Sequence, residues 1–358
     1  MNAHADPIRY GVVGTGMMGV EHIENIRALD GAVVTAVSDT NANSRATGAQ
    51  AAGQQVAVFE NHRDLIASGL CDAVVIATPN MTHHDVLLDV LATDLHVLVE
   101  KPLCTTVEHC RDVIDAAAGR PGVVWVGLEY RYMPPVHRLV EVAHGGELGR
   151  LRMIGIREHR FPFLRKIGDW NRFDRNTGGT LVEKCCHYFD LMNHIARAPP
   201  VRVLASGAQD VNHLDEVYDG EVPDIIDNAL VIVEYDDGLR ASLDLCMFAE
   251  ASVNQEELSV VGDEGKAEAF LPSKEVRVGR REHGRDGVRS QIVTDDRVRW
   301  EGFHHGSSYL EHLDFLAACR TGAAPEVSLE DGLLSVALGV AAQRSIAERR
   351  PVELDEVL

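Results

Sequence analysis

The chain has 358 residues, about two domains' worth, of which 45% are hydrophobic and 25% charged. These globular proportions exclude a collagen-like repeat, a disordered tail protein and a small disulfide scaffold. Its 34 Lys and Arg against 55 Asp and Glu leave a formal charge of −21, which opposes binding to nucleic acid or an anionic membrane but not to a small substrate.

The seven cysteines form no CxxC pair, so reduced thiols in a cytoplasm are expected rather than a disulfide framework or a zinc knuckle. Residues 1–10 lack the basic-then-apolar pattern of a secretion signal. The apolar stretch 333–342 falls short of the roughly 20 residues a bilayer needs and reads as a core helix.

In chain order, strands are expected at 8–13, 32–38, 56–59, 73–77, 96–99 and 123–127. Helical spacing intervenes at 17–29, 43–53, 61–68 and 82–92, and Thr105-x-x-Glu108 is a capping box that opens a further helix. Six VVI-type strands alternating with helices predict a parallel sheet covered on both faces. After Leu128 the texture changes. Longer strands are expected at 150–159, 201–208, 228–235, 239–247 and 257–261. Turns at Asp236-Asp237-Gly238 and Asp263-Glu264-Gly265 pair two sets of them as hairpins. Residues 274–296 read as a charged loop or irregular edge strands.

Between the first strand and the first helix lies Gly14-x-Gly16-x-x-Gly19, with Asp39 twenty residues further at the end of the second strand. Gly14 permits a tight turn, Gly16 lets a pyrophosphate reach the backbone amides of a helix N-terminus, and Gly19 allows close helix–strand packing. Met17 and Met18 supply the first amides of that helix, and Asp39 can accept hydrogen bonds from both ribose hydroxyls. The expected fold is therefore an α/β Rossmann domain over residues 1–128, followed by an α+β domain with an open, mostly antiparallel sheet over 129–358. A carboxylate at Asp39 repels a 2′-phosphate, so NAD is favoured, with NADP still possible.

Ligands of such sheets bind at the carboxyl ends of the strands. Thr78-Pro79-Asn80 ends the fourth strand and Glu100-Lys101-Pro102 the fifth, which points both clusters at the nicotinamide end. Lys101 is either a proton-exchanging group beside the cofactor or a surface lysine paired with Glu100. In the second domain, Gly178-Gly179 opens a helix expected to run to about Ala196. On it Glu183, His187, Asp190 and His194 fall within about 60° of one another. Periodicity alone favours a core helix with a solvated polar face. The sharper reading makes His187 a general base oriented by Glu183, and a metal half-site lacks further ligands at matching spacing.

Four motifs, GVVGTGMMG at 11–19, ATPNMTHH at 77–84, EKP at 100–102 and GGTLVEKCCHYFD at 178–190, together with the closing run 309–353, resemble the glucose–fructose oxidoreductase / inositol dehydrogenase / rhizopine-catabolism family. The resemblance implies that Lys101 is the catalytic lysine and His187 the histidine that exchanges the hydroxyl proton. Glu183 stands where most members carry aspartate, so it orients His187 or contacts substrate itself. Asn80 and His83 match positions lining the nicotinamide and ribose, and Pro102 matches a proline that is often cis. Tyr130, Arg131, Trp170 and Asn171 are further substrate-binding candidates, their ring and polar groups suiting a polyol, with core packing the other reading for both rings. His304 and His305 have no place in this scheme, and vicinal Cys185-Cys186 read as buried small residues.

The resemblance implies an NAD(P)-dependent dehydrogenase of a cyclic polyol, sugar or sugar derivative. Two alternatives stay open: a glycoside-cleaving enzyme that oxidises its substrate transiently, and a non-catalytic NAD sensor. The open second sheet needs a cover, so a homodimer or homotetramer is expected.

Overall fold

The computed structural model describes residues 6–53 and 55–358. The leader-free reading of residues 1–10 rests partly on residues 1–5, which lie outside that range. The chain divides into two compact units. The first comprises the chain up to Cys104, Glu108–Glu129 and Asp296–Leu333; the second comprises Thr105–Val107, Tyr130–Asp295 and Leu334–Leu358.

The first unit holds strands β1 (Ile8–Val13), β2 (Ala32–Ser38), β3 (Ala57–Phe59), β4 (Ala73–Ile76), β5 (His96–Glu100) and β6 (Val124–Gly127). They form one sheet in the order β3-β2-β1-β4-β5-β6, every pair parallel. The helices α1 (Met17–Ala28), α2 (Ala42–Ala52), α3 (His62–Ala67), α4 (His83–Leu91) and α5 (Val107–Ala117) are its crossovers. Asn41 and Asn61 cap α2 and α3 by accepting from backbone amides one turn in. All four residues of β4 are fully buried, as a strand covered on both faces requires. The strand order reverses between β1 and β4, and at such a switch point the carboxyl ends of the strands leave a crevice for a ligand.

The remaining elements are α6 (Pro134–His144), β7 (Leu151–His159), α7 (Asp174–Thr177), α8 (Thr180–Glu183), α9 (Cys186–Ala196), β8 (Pro200–Ala208), β9 (Asn228–Tyr235), β10 (Arg240–Cys246), β11 (Glu256–Gly262), β12 (Gly265–Leu271), β13 (Glu275–Arg280), β14 (Arg289–Ile292), α10 (Ser307–Thr321), α11 (Leu329–Glu348) and β15 (Val352–Glu353). The second sheet runs β14-β13-β12-β11-β7-β10-β9-β8-β15. Its pairs are antiparallel except β7 with β10, which are parallel because β8 and β9 intervene in the chain before β10 returns beside β7. Both expected turns close hairpins, β9–β10 and β11–β12. Along β9, Ala229, Val231, Val233 and Tyr235 are buried while Leu230 and Ile232 are exposed, so one face of the sheet is packed and the other bare. Residues 274–296 contribute the edge strands β13 and β14. Among the described residues no helix is long and apolar enough to cross a membrane.

Two expectations need correction, and the compact units interleave along the chain, with Asp296–Leu333 grouped with the first. There α10 packs on α1: Tyr10 meets Phe315 edge-on, the Trp125 indole donates to Glu311 over 3.1 Å, and Arg320 donates to the Gly31 carbonyl over 2.9 Å. Neither texture nor period announces such a return of the chain. The helix expected at 178–196 is instead two, because α8 stops at Glu183 and α9 restarts from Cys185, whose carbonyl accepts from both Tyr188 and Phe189. Finally, the face carrying Glu183, His187 and Asp190 is not solvated, since all three are buried.

Candidate active site

The turn after β1 is built to approach a dinucleotide. Gly14 has φ +85°, a left-handed conformation, and a Cβ there would lie 2.6 Å from the Ala77 carbonyl oxygen. A Cβ on Gly19 would lie 1.9 Å from the Gly14 carbonyl oxygen, so α1 crosses the turn in direct backbone contact. A Cβ on Gly16 would meet nothing within 4 Å. Gly16 is also the N-cap of α1, and no side chain caps the amides there. An uncapped helix N-terminus with open space above a glycine is what a pyrophosphate needs.

The Asp39 carboxylate is held at the end of β2 by the amides of Thr15 and Asn41, each over 2.8 Å. Arg45, the nearest cation in sequence, spends its guanidinium on the backbone carbonyls of Asp39 and Thr40. These residues fit a nicotinamide dinucleotide: Gly14 to Gly19 for its phosphates, Asp39 for its adenosine ribose.

At the carboxyl end of β5, Glu100 is buried and Lys101 half-buried. The Glu100 carboxylate accepts from the Lys101 amide over 3.1 Å and from His22 Nε2 over 2.8 Å. Behind His22, His312 Nε2 lies 2.8 Å from His22 Nδ1. Burial pushes the Glu100 carboxyl up, but the His22 hydrogen bond and the charges of His22, Lys101 and His304 outweigh it and hold it at about 2. Burial and the neighbouring His22 push His312 well below the usual imidazole range, so it stays neutral. A permanent carboxylate thus stands beside Lys101. Glu129, by contrast, is pushed up by burial and by the charge of Glu100. His304 lies 3.6 Å from Glu129 and 3.7 Å from Glu21.

The Thr78-Pro79-Asn80 turn after β4 is tied to this segment by His83, whose Nδ1 lies 2.8 Å from the Pro102 carbonyl and Nε2 3.0 Å from that of Thr78. His83 is fully buried and braces two loops. Asn80 is buried at the start of a single 3₁₀ turn, and the Lys101–Pro102 bond is cis.

In the second unit His187 sits in the first turn of α9, 2% exposed. Its ring stacks on that of Tyr130, with centroids 3.9 Å apart and planes 8° from parallel. Arg131 forms a bidentate pair with Asp190, one turn after His187, with Nε 2.7 Å from the carboxylate. Both partners are buried, so the pair anchors α9. Asn171, also expected at the substrate, is fully buried and donates to the Leu164 carbonyl over 2.9 Å. Trp170 is only partly buried, and its carbonyl accepts from Asn176.

Glu183 ends α8 and acts on Asp174, whose carboxyl is pushed up to about 7 by burial first and then by the charges of Asp224 and Glu183. Because this folded-state value exceeds the ordinary 3.8, the stability that protonated Asp174 supplies is complete below about pH 4 and lost as pH rises through about 7. Asp174→Asn is therefore expected to raise stability by about 2 kcal/mol at pH 8 and by almost nothing at pH 4. Thermal unfolding at the two pH values checks this, and equal shifts at both would contradict it.

Several groups here left no sequence signal. His22 and Glu100 are 78 positions apart, and Tyr130 and His187 are 57 apart, so no spacing rule links either pair. Lys184, between two helices, gave no reason to expect burial, yet it is buried against Glu158.

A model of the oxidoreductase family's NAD-binding Rossmann fold matches residues 8–128, and one of its C-terminal alpha/beta domain matches residues 141–354. The chain belongs to the Gfo/Idh/MocA oxidoreductase family. It is 28% identical over 354 residues to the myo-inositol 2-dehydrogenase of Thermotoga maritima, covering 98% of this chain and 100% of that one. To the scyllo-inositol 2-dehydrogenase (NAD(+)) of Bacillus subtilis it is 25% identical over 356 residues, covering 97% and 96%. The solved levoglucosan dehydrogenase, in complex with NADH and levoglucosan, shares its fold with a TM-score of 0.86 at 20% identity, covering 97% of this chain and 99% of that one. The chain is thus an oxidoreductase with NAD as its cofactor.

Proposed function

We propose that the protein reversibly oxidises a secondary alcohol to a ketone on a cyclic polyol, such as an inositol, or on a sugar or sugar derivative. The observation that carries this is the place of Lys101: half-buried, beside a permanent carboxylate, at the carboxyl end of a strand in the sheet that bears the dinucleotide turn. The two inositol dehydrogenases it resembles along nearly their whole lengths supply the substrate class.

Bound NAD supplies the acceptor for the two electrons that leave with the carbinol hydrogen. The protein's own groups handle the oxygen. The role assigned to His187 is to take the hydroxyl proton, and that of Lys101 is to stabilise the negative charge that develops on the alcohol oxygen. Glu183 and Trp170 contribute polar and stacking contacts to the ring hydroxyls and the ring face.

The test is NADH formation with a panel of inositols, sugars and anhydrosugars, read by absorbance. Turnover of one polyol or sugar supports the reading. Glycoside cleavage with no net NADH points to transient oxidation, and cofactor binding without any turnover points to a sensor; either result overturns it.

The reading also includes self-association. Leu204, Leu230, Ile232 and Met153 stand exposed on strands of the second sheet, an apolar face that water does not favour. A homodimer or homotetramer covering that face is expected in light scattering, and a monomer at micromolar concentration would count against it.

A further inference from the structure

We propose that Tyr130 is a positioning residue for His187, a platform clamped by Lys184 and Glu158 that fixes the plane of the imidazole while using neither of its nitrogens. The inference rests on the role proposed above for His187. The stack is nearly face to face, 3.9 Å between centroids and 8° between planes, and both rings are almost fully buried. Contact through the ring face removes the tilting freedom of the imidazole. Its two nitrogens lie in the ring plane, where a proton transfer needs them, and the platform competes for neither. A carboxylate orients an imidazole differently, by occupying one nitrogen.

The platform is itself held by Lys184 and Tyr188. Lys184 Nζ donates to the Tyr130 hydroxyl over 2.6 Å and lies 4.8 Å from the centre of its ring. The same ammonium is 3.1 Å from Glu158, a carboxylate with no exposed surface that also pairs with Arg160 over 3.2 Å. Tyr188, on α9, meets the Tyr130 ring edge-on with centroids 5.7 Å apart. Burying an ammonium costs several kcal/mol unless it is fully paired. Lys184 has that pairing here, and the pairing fixes the tyrosine.

Two cations, Lys184 and Arg160, interact with the tyrosine, and two carboxylates, Glu158 and Glu256, face those cations from β7 and β11. The electron-rich face of Tyr130 favours a protonated His187, and the cations oppose it. Removing the ring is therefore expected to move the histidine's titration as well as its position.

The experiment compares Tyr130→Leu with Tyr130→Phe in the full-length protein. Tyr130→Leu is expected to lower kcat roughly 100-fold with KM changed little, since a displacement of about 1 Å in a reacting group has that effect. The acidic limb of its kcat/KM profile should also move to lower pH, because the ring face that favours the protonated imidazole is gone. Tyr130→Phe keeps the stack and should rescue most of the loss. Equal losses in the two variants, or a Tyr130→Leu enzyme within twofold of wild type with an unmoved profile, would overturn the proposal.

A second readout needs no substrate. The His187 ring-proton resonances should shift in Tyr130→Leu and keep their wild-type positions in Tyr130→Phe. If the wild-type protein turns over no polyol or sugar, the functional reading fails by itself, while these resonances still decide whether the platform holds the imidazole.

Discussion

Lys101→Met is expected to lower kcat by roughly 1,000-fold or more, with a far smaller effect on NAD affinity. Methionine keeps most of the length and apolar volume of the lysine stem and removes only the ammonium. The Glu100 carboxylate keeps its bonds to His22 and to the backbone amide at position 101, so the β5 turn should hold its shape. What disappears is the one cation argued to meet the alcohol oxygen as it gains charge. A charge-assisted hydrogen bond that strengthens in the transition state is lost from kcat, whereas uniform binding would be lost from KM. Single-turnover NAD reduction with the preferred substrate measures the chemical step, and quenching of protein fluorescence measures cofactor affinity. Wild-type chemistry in this variant would remove Lys101 from the mechanism.

Gly19→Ala and Gly16→Ala are expected to fail in different ways. At Gly19 the added methyl would sit 1.9 Å from the Gly14 carbonyl oxygen. Gly14 cannot retreat, because its own backbone already lies against Ala77 and Thr78. The start of α1 must therefore lift from β1, at a cost of about 3 kcal/mol or more. The dinucleotide turn distorts with it, and NAD affinity should fall by roughly 100-fold. At Gly16 the methyl meets no protein atom within 4 Å, and the backbone there has φ −69°, which alanine adopts freely. Gly16→Ala should leave the melting temperature of the unliganded protein unchanged and weaken NAD binding alone. Melting curves without and with NAD separate the two variants. Stability lost at Gly16, or binding unchanged there, would mean that the space above it does not belong to the cofactor.

The first unit was open to reading because its signals are local. Each strand of its sheet is a short apolar run, each crossover helix has its own period, and Gly14, Gly16, Gly19 and Asp39 lie within one β-α-β segment. The hairpins of the second sheet announce themselves in the same way, through Asp-Gly and Glu-Gly turns. Position 83 shows where this stops. Nothing local in the ATPNMTHH run places the His83 ring between the Thr78 and Pro102 carbonyls. Arg131 is similar: its partner Asp190 lies 59 residues away, and no local signal pairs the two.

Sequence alone determined the alternation of strands and helices in the two sheets and the cofactor turn, because each is written in a contiguous motif of fixed period or spacing, while the roles expected of Lys101 and His187 rest on the family resemblance of the motifs around them. Tertiary structure alone decided that residues 296–333 belong with the first unit, that Glu100 is held ionised by His22 with His312 behind it, and that His187 lies on Tyr130 above a buried Lys184. Those are pairings between distant segments. Their cause is the need to satisfy each buried charge and to fill each gap in the packed interior, and neither condition exists until the chain has folded.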